Sequence, residues 1–130
     1  PIQDFATSSL FDAASSIFVS HFVKGRINKI AYFTAISSAL KPGAPFVFAD
    51  LFGDEQSPTF SELLDAWLAS YSSQGVSRSD YEKDRAHIRN DLSFVPEHDL
   101  LSLLAEAGFE TPVRFYQTLL FGGWVTKKLR

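Results

Sequence analysis

At 130 residues, 45% of them hydrophobic and 13 of them phenylalanine, the chain can bury one core and is too apolar to be disordered. A formal net charge of −3 argues against a free-standing nucleic-acid binder, which needs a basic face, but leaves room for an enzyme that takes RNA into a small pocket. Cysteine is absent, which excludes disulfides and thiolate metal sites, and no apolar run approaches the roughly 18 residues of a membrane span.

The chain begins with proline, contains no methionine and shows no basic, signal-like start. The expectation is a single cytoplasmic domain over residues 1–130, the rear part of a longer fold. Residues 1–10 read as a polar loop around Thr7-Ser8-Ser9. A strand follows over 11–19, where Ala13, Ala14, Ser15 and Ser16 let helices pack closely. His21 falls at its carboxyl end, where open parallel sheets collect ligands; a plain loop histidine is the other reading. Lys24 to Lys29 is a basic turn that either meets phosphate or simply opens a solvated helix. The spacing of Ile27, Ile30, Phe33, Ile36 and Leu40 predicts a helix over 27–40, stopped by Pro42-Gly43. Phe46 to Leu51 is apolar on both faces, as a strand covered on both sides should be, and Asp50 either reaches the cleft or caps the next loop. Strand, helix and strand make a βαβ unit of a parallel sheet.

Thr59 and Glu62 match a capping box preceded by Pro58. Phe60, Leu63, Leu64, Trp67, Leu68 and Tyr71 then keep the period of an amphipathic helix, ended by Ser72-Ser73-Gln74-Gly75. Ser79 and Glu82 make a second capping-box match for a mostly polar helix over 80–91. Only Tyr81, Ile88 and Leu92 form its thin stripe, a pattern suited to a lid or a partner contact. Pro96 starts the last helix, with Leu100, Leu101, Leu103 and Leu104 inside and Gly108 beyond its end. Alternation of side chains predicts strands near 110–116 and 119–128 with a tight reversal, although no glycine stands at that turn.

Four segments occur in a telling order: Phe11-Asp12-Ala13-Ala14, Ser20-His21-Phe22, Leu40-Lys41-Pro42-Gly43-Ala44 and Ala105-Glu106-Ala107-Gly108-Phe109. Together they resemble the second half of a class I S-adenosylmethionine-dependent methyltransferase, over roughly Phe11 to Lys128. The ending, Phe115-Tyr116-Gln117 through Phe121-Gly122-Gly123-Trp124-Val125, is most similar to the bacterial enzymes that use carboxy-S-adenosylmethionine on the tRNA wobble uridine, and to their small relatives. The resemblance implies an α/β fold: a partial Rossmann-like sheet of about four strands, two parallel and then an antiparallel hairpin at the edge, with helices packed on it. It also implies that His21 lines the cofactor and substrate cleft. Arg85, followed five residues later by Asn90, matches the arginine that holds the carboxylate of the unusual cofactor, a task that suits a planar fork. Asp4 reads either as the remnant of an acidic residue near the adenine or as a surface residue.

The family grips its donor with a glycine-rich turn and a later acidic residue on the ribose. Here the seven glycines never form G-x-G. The expectation is that this chain alone binds no S-adenosylmethionine, and no catalytic residue is assigned. A bare strand at 12–19 then calls for a partner, either a second copy in a homodimer or the missing N-terminal half. A non-catalytic oligomerisation or interaction module descended from a methyltransferase is the alternative. A small-molecule binder with a pocket at the strand ends is a third. His21, His87 and His98 lack metal-ligand spacing, and there is neither H-E-x-x-H nor G-x-S-x-G nor a phosphate loop. The phenylalanines read as core, not as a base-stacking platform.

Overall fold

The computed structural model describes residues 9–72 and 77–130. Asp4, the Thr7-Ser8 part of the first loop and the predicted helix end at Ser73-Gln74-Gly75 lie outside the described residues, as does the side chain of the stripe position Tyr71. The elements are β1 (Ala14–Ile17), a short 3-10 turn (Ser20–Phe22), α1 (Arg26–Ser38), β2 (Pro45–Leu51), α2 (Pro58–Ser72), α3 (Arg78–Asp91), α4 (Glu97–Glu106), β3 (Val113–Thr118) and β4 (Phe121–Lys127). The four strands form one sheet in the order β1-β2-β4-β3. β1 and β2 are parallel; β4 runs antiparallel to both β2 and β3. This is the expected α/β sheet, two parallel strands followed by a hairpin.

One face of the sheet is packed. Phe46 and Phe48 of β2 and Trp124 of β4 meet Tyr32, Phe33 and Ile36 of α1 and Leu100 and Leu104 of α4 in one buried cluster. A second cluster sits at the carboxyl end of β2, where Leu51 and Leu120 meet Phe60, Leu64 and Leu68 of α2 and Ile88 of α3. The thin stripe of α3 is therefore enough to hold it against α2, with Tyr81 Oη donating to Asp65 at 2.8 Å.

β1 is shorter than the 11–19 run. Phe18 adopts φ 54°, which stops the strand and turns the chain into the 3-10 turn, while Phe18 N–H still donates to the Ala49 carbonyl at 2.8 Å. A bulky residue in the left-handed region is rare and strained, and here it stands at the ligand end of the sheet. Of its predicted stripe α1 buries Phe33, Ile36 and, beyond its end, Leu40, but not Ile27. Ile27 is 83% exposed, and the inward row is Lys29, Tyr32, Phe33, Ile36 and Ser37. The helix ends at Ser38, before Leu40, because Leu40 bridges to Phe11 beside β1. Pro42 and Gly43 (φ 78°) then form the central pair of a turn closed by Ala44 N–H to the Lys41 carbonyl at 3.0 Å.

Both helix caps lie two residues earlier than the capping-box matches. Ser57 Oγ accepts from Phe60 N–H at 3.1 Å, placing Pro58 in the first helical position, where its missing N–H is harmless. Ser77 Oγ accepts from Asp80 N–H at 3.2 Å on α3. Ser57→Ala is expected to lower stability by about 1 kcal/mol. Thr59→Ala should stay within about 0.5 kcal/mol, so urea unfolding of the pair tells the true cap from the sequence match.

The β3–β4 hairpin turns through Leu119 (φ 48°) and Leu120, without glycine. Gly122 and Gly123 stand within β4. The Trp124 indole lies over Gly122, and the Phe115 ring leans on Gly123.

Candidate functional site

The carboxyl ends of β1 and β2 converge on a buried polar network. β2 delivers Asp50, 3% exposed, and the turn after β1 delivers Ser20 and His21, 4% and 6% exposed. His21 Nδ1 is bonded to Asp50 Oδ1, which also accepts from Leu51 N–H at 2.9 Å. Asp50 Oδ2 accepts from Ser20 N–H at 2.7 Å and from the Ser20 hydroxyl. Lys29 reaches in from α1, and its Nζ donates to the Ser20 carbonyl at 2.6 Å. Tyr32 and Ser16 close the network through a hydroxyl–hydroxyl bond of 2.7 Å. Ser93 N–H donates to the His21 carbonyl at 2.8 Å, which ties the turn to the segment after α3.

The electrostatics follow from burial and pairing. Burial alone would push the Asp50 carboxyl up. The hydrogen bonds from His21 and Ser20, the charge of a protonated imidazole and the Leu51 N–H outweigh it and hold Asp50 below the ordinary carboxylate value. Burial lowers the Lys29 ammonium from the usual lysine value, opposed by the Asp50 charge. Burial raises the Tyr32 phenol, opposed by the Ser16 hydrogen bond and helped by Asp50.

The arrangement holds one nitrogen ready. His21 Nδ1 is committed to Asp50, while among the described residues Nε2 has no partner. Among the described residues no buried side-chain nitrogen or oxygen is left unsatisfied, so Nε2 is not wholly shut off from solvent although His21 is buried. A carboxylate on Nδ1 fixes the tautomer in which Nε2 carries the lone pair, and it compensates the charge the ring gains on taking a proton. Ser20 Oγ donates to Asp50 and not to His21, so the three residues are not a nucleophilic triad. The exposed Phe22 lays its ring 4.1 Å from the imidazole, giving this nitrogen an apolar flank. Behind the network, between α1 and α4, a cavity of about 310 Å³ is lined by Arg26, Lys29, Phe94 and Asp99 among others.

The second sequence candidate lies elsewhere. Arg85, on α3, pairs with Asp65 of α2 and donates to Ser61 Oγ at 3.5 Å. It makes none of the contacts of the His21 network. The basic turn is spent on structure: Lys24 Nζ donates to the Asn90 carbonyl at 2.8 Å and Arg26 pairs with Glu106. His98 is 80% exposed at its side chain. Sequence reasoning missed Ser20, Lys29 and Tyr32. One signal was available, a lysine at position 29 set among residues that keep the helical period with Phe33 and Ile36.

Neither a family model nor a curated protein matches the chain. Solved structures do. The chain is similar over its whole length to a possible exported protein from Bordetella parapertussis, at 16% identity and TM-score 0.68, spanning 43% of that chain. It is similar to the S-adenosylmethionine-dependent methyltransferase SibL at 14% identity and TM-score 0.67, spanning 34% of it. It is also similar to the Burkholderia thailandensis 1,6-didemethyltoxoflavin-N1-methyltransferase, solved with 1,6-didemethyltoxoflavin and S-adenosylhomocysteine, at 17% identity and TM-score 0.60, spanning 49% of it. The fold is methyltransferase-like. The chain spans between a third and a half of the length of these structures.

At the junction after β1, Lys24-Gly25-Arg26 leads into α1, with Gly25 at φ 83°. Asp50, the acidic residue at a strand end, is filled by His21, Ser20 and Leu51 and offers no free oxygen to a ribose. Among the described residues no cluster of His, Asp or Glu could hold a metal ion, and no helix is long and apolar enough to cross a membrane.

Proposed function

We propose that this chain is the acceptor side of an S-adenosylmethionine-dependent methyltransferase, with the donor gripped by polypeptide outside these 130 residues. The observation that carries the reading is the His21–Asp50 pair, buried at the carboxyl ends of two parallel strands of a methyltransferase-like sheet. In open parallel sheets that is where ligands bind. His21 takes the proton that an O–H or N–H acceptor must lose, Asp50 orients the ring, and Lys29 fixes the turn by holding the Ser20 carbonyl. Arg85 is the other cofactor-side candidate within this reading. To receive a donor carboxylate its guanidinium would exchange Asp65 for it. The chain's ending is similar to that of the tRNA wobble uridine enzymes, and a cytoplasmic setting goes with that resemblance.

Titration calorimetry tests the division of labour. The 130-residue chain is expected to give no heat with S-adenosylmethionine or S-adenosylhomocysteine at micromolar concentrations. The product of the complete reading frame is expected to bind both. Micromolar binding by the 130 residues alone refutes the assignment of the donor site to other polypeptide. Absence of binding by the complete product refutes the methyltransferase reading itself.

A further inference from the structure

The cavity between α1 and α4 is not used by the His21–Asp50 pair, and its lining is chemically sorted. Phe94, Val95 and Leu103 give it apolar walls. Lys29 lines it from the buried side, at 3% exposure, while Asp99 lines it with a side chain that is 49% exposed. At about 310 Å³ it reaches the lower end of the range for small-molecule sites.

The buried end of this cavity is short of negative charge. An ammonium has three donors, and among the described residues Lys29 Nζ has a single acceptor, the Ser20 carbonyl at 2.6 Å. Asp50, the charge that offsets the burial of Lys29, is already bonded to His21, Ser20 and the Leu51 N–H. Gly25 and Arg26, where α1 begins, also line the cavity. That helix start has no side-chain cap and no acidic residue in its first turn, so its positive end lacks the usual counter-charge. The Arg26 guanidinium is engaged with Glu106, which leaves Lys29 as the cation a ligand can use. A charge counts most where water is excluded. Lys29 therefore outweighs Asp99, whose exposed carboxylate is screened by solvent. We propose that the cavity binds a small organic anion, its carboxylate or phosphate on Lys29 and the first N–H groups of α1, its apolar body against Phe94, Val95 and Leu103. Lys29 also holds the Ser20 carbonyl, next to His21, so a ligand bound here draws on the residue that fixes that turn. The inference rests on the cavity alone and is independent of methyl transfer.

Titration of the chain with benzoate, phenyl phosphate and benzyl alcohol, followed by proton–nitrogen correlation NMR, tests it. Benzoate or phenyl phosphate should shift the Ser20, Gly25, Lys29 and Leu103 amides saturably. Binding should be at least about 10-fold tighter than that of benzyl alcohol, which has the ring without the charge. Lys29→Met keeps the stem and removes the charge, and should weaken the anion at least about 10-fold. Asp99→Asn removes an exposed like charge and should tighten the anion about two- to five-fold. Benzyl alcohol binding as well as the anions overturns the proposal, because the cavity is then a plain apolar hole. Anion binding unchanged in Lys29→Met overturns it too, as does the absence of a saturable shift with either anion. Weaker anion binding in Asp99→Asn also counts against it, since Asp99 would then serve the ligand instead of repelling it. Where Lys29→Met fails to fold, the benzyl alcohol comparison and Asp99→Asn decide.

Discussion

Asp50→Ala should remove about 3–5 kcal/mol of stability, because several buried donors lose their acceptor at once and each unsatisfied group costs about 1–3 kcal/mol. A domain of this kind holds only about 5–15 kcal/mol in all, so the variant stands near the edge of folding. The size of the effect comes from what is orphaned. Without the carboxylate, the Ser20 N–H, the Ser20 hydroxyl, the Leu51 N–H and His21 Nδ1 lose their acceptor in a site closed to water. Asp50→Asn keeps the shape and one acceptor oxygen, so its loss should be about 1.5–3 kcal/mol, the value of hydrogen bonds to a charged group. Urea unfolding at pH 7 measures both; an alanine variant within 1 kcal/mol of the parent would show that the network contributes little. On the proposed reading, His21→Gln and Asp50→Asn should each lower the kcat of methyl transfer by about 10²–10⁴-fold, with the double variant little worse than either. Unchanged donor affinity in the folded Asn variant separates a lost proton acceptor from a collapsed site.

The same carboxylate gives the protein a defined acid limit. Asp50 has its folded value held below that of the unfolded chain, so the folded state binds fewer protons there and stability rises with pH across that window. Its contribution is complete above the unfolded value, near pH 4, and is lost as pH falls through the folded one. Lys29 works in the opposite range. Its folded value lies below the usual lysine value, so the buried ammonium weakens the fold at neutral pH, and stability gains as pH rises through the folded value toward the unfolded one. Acid sensitivity below pH 4 should therefore diminish in Asp50→Asn.

The parts of the fold that were legible in the sequence are those fixed by local patterns. Apolar runs at 11–19 and 46–51 separated by a helical period gave the parallel pair, and alternation after Pro112 gave the hairpin. Where two local signals competed, the chain chose by geometry. Ser57 and Ser77 outrank the capping-box serine and threonine because their oxygens sit where the first free N–H groups point. The place of His21, just after the first strand, was legible. Its environment was not, since Lys29 faces inward only because Asp50 and the Ser20 carbonyl, distant in sequence, are brought beneath α1 by the sheet. The surroundings of Arg85 were not legible either, since only the fold places Asp65 of the neighbouring helix beside its guanidinium. The stop of β1 at Phe18 carried no sequence signal, because nothing about phenylalanine favours φ 54°.

Trp124 and Gly122 should behave as one unit. The indole is fully buried, stacked 5.1 Å from Phe48 and edge-on at 5.0 Å to Phe52, with its N–H donating to Glu97 Oε1 at 3.0 Å. Its far ring edge lies across Gly122, where an added Cβ would stand 2.3 Å from Trp124 Cη2. Trp124→Ala should lose about 3–5 kcal/mol through the cavity and the lost ring contacts. Gly122→Ala should lose about 1–3 kcal/mol or more, because the ring is hemmed in by Phe48 and Phe52 and cannot withdraw. The backbone at Gly122 suits any residue, so the loss comes from the collision alone. With the indole gone the collision is gone, and alanine is a better strand residue than glycine by about 0.5–1 kcal/mol. Gly122→Ala placed on Trp124→Ala should therefore be neutral or stabilising, and the double variant should be less damaged than the sum of the singles. Singles that add to within about 0.5 kcal/mol would mean that the ring does not occupy this place, and that glycine is kept in β4 for another reason.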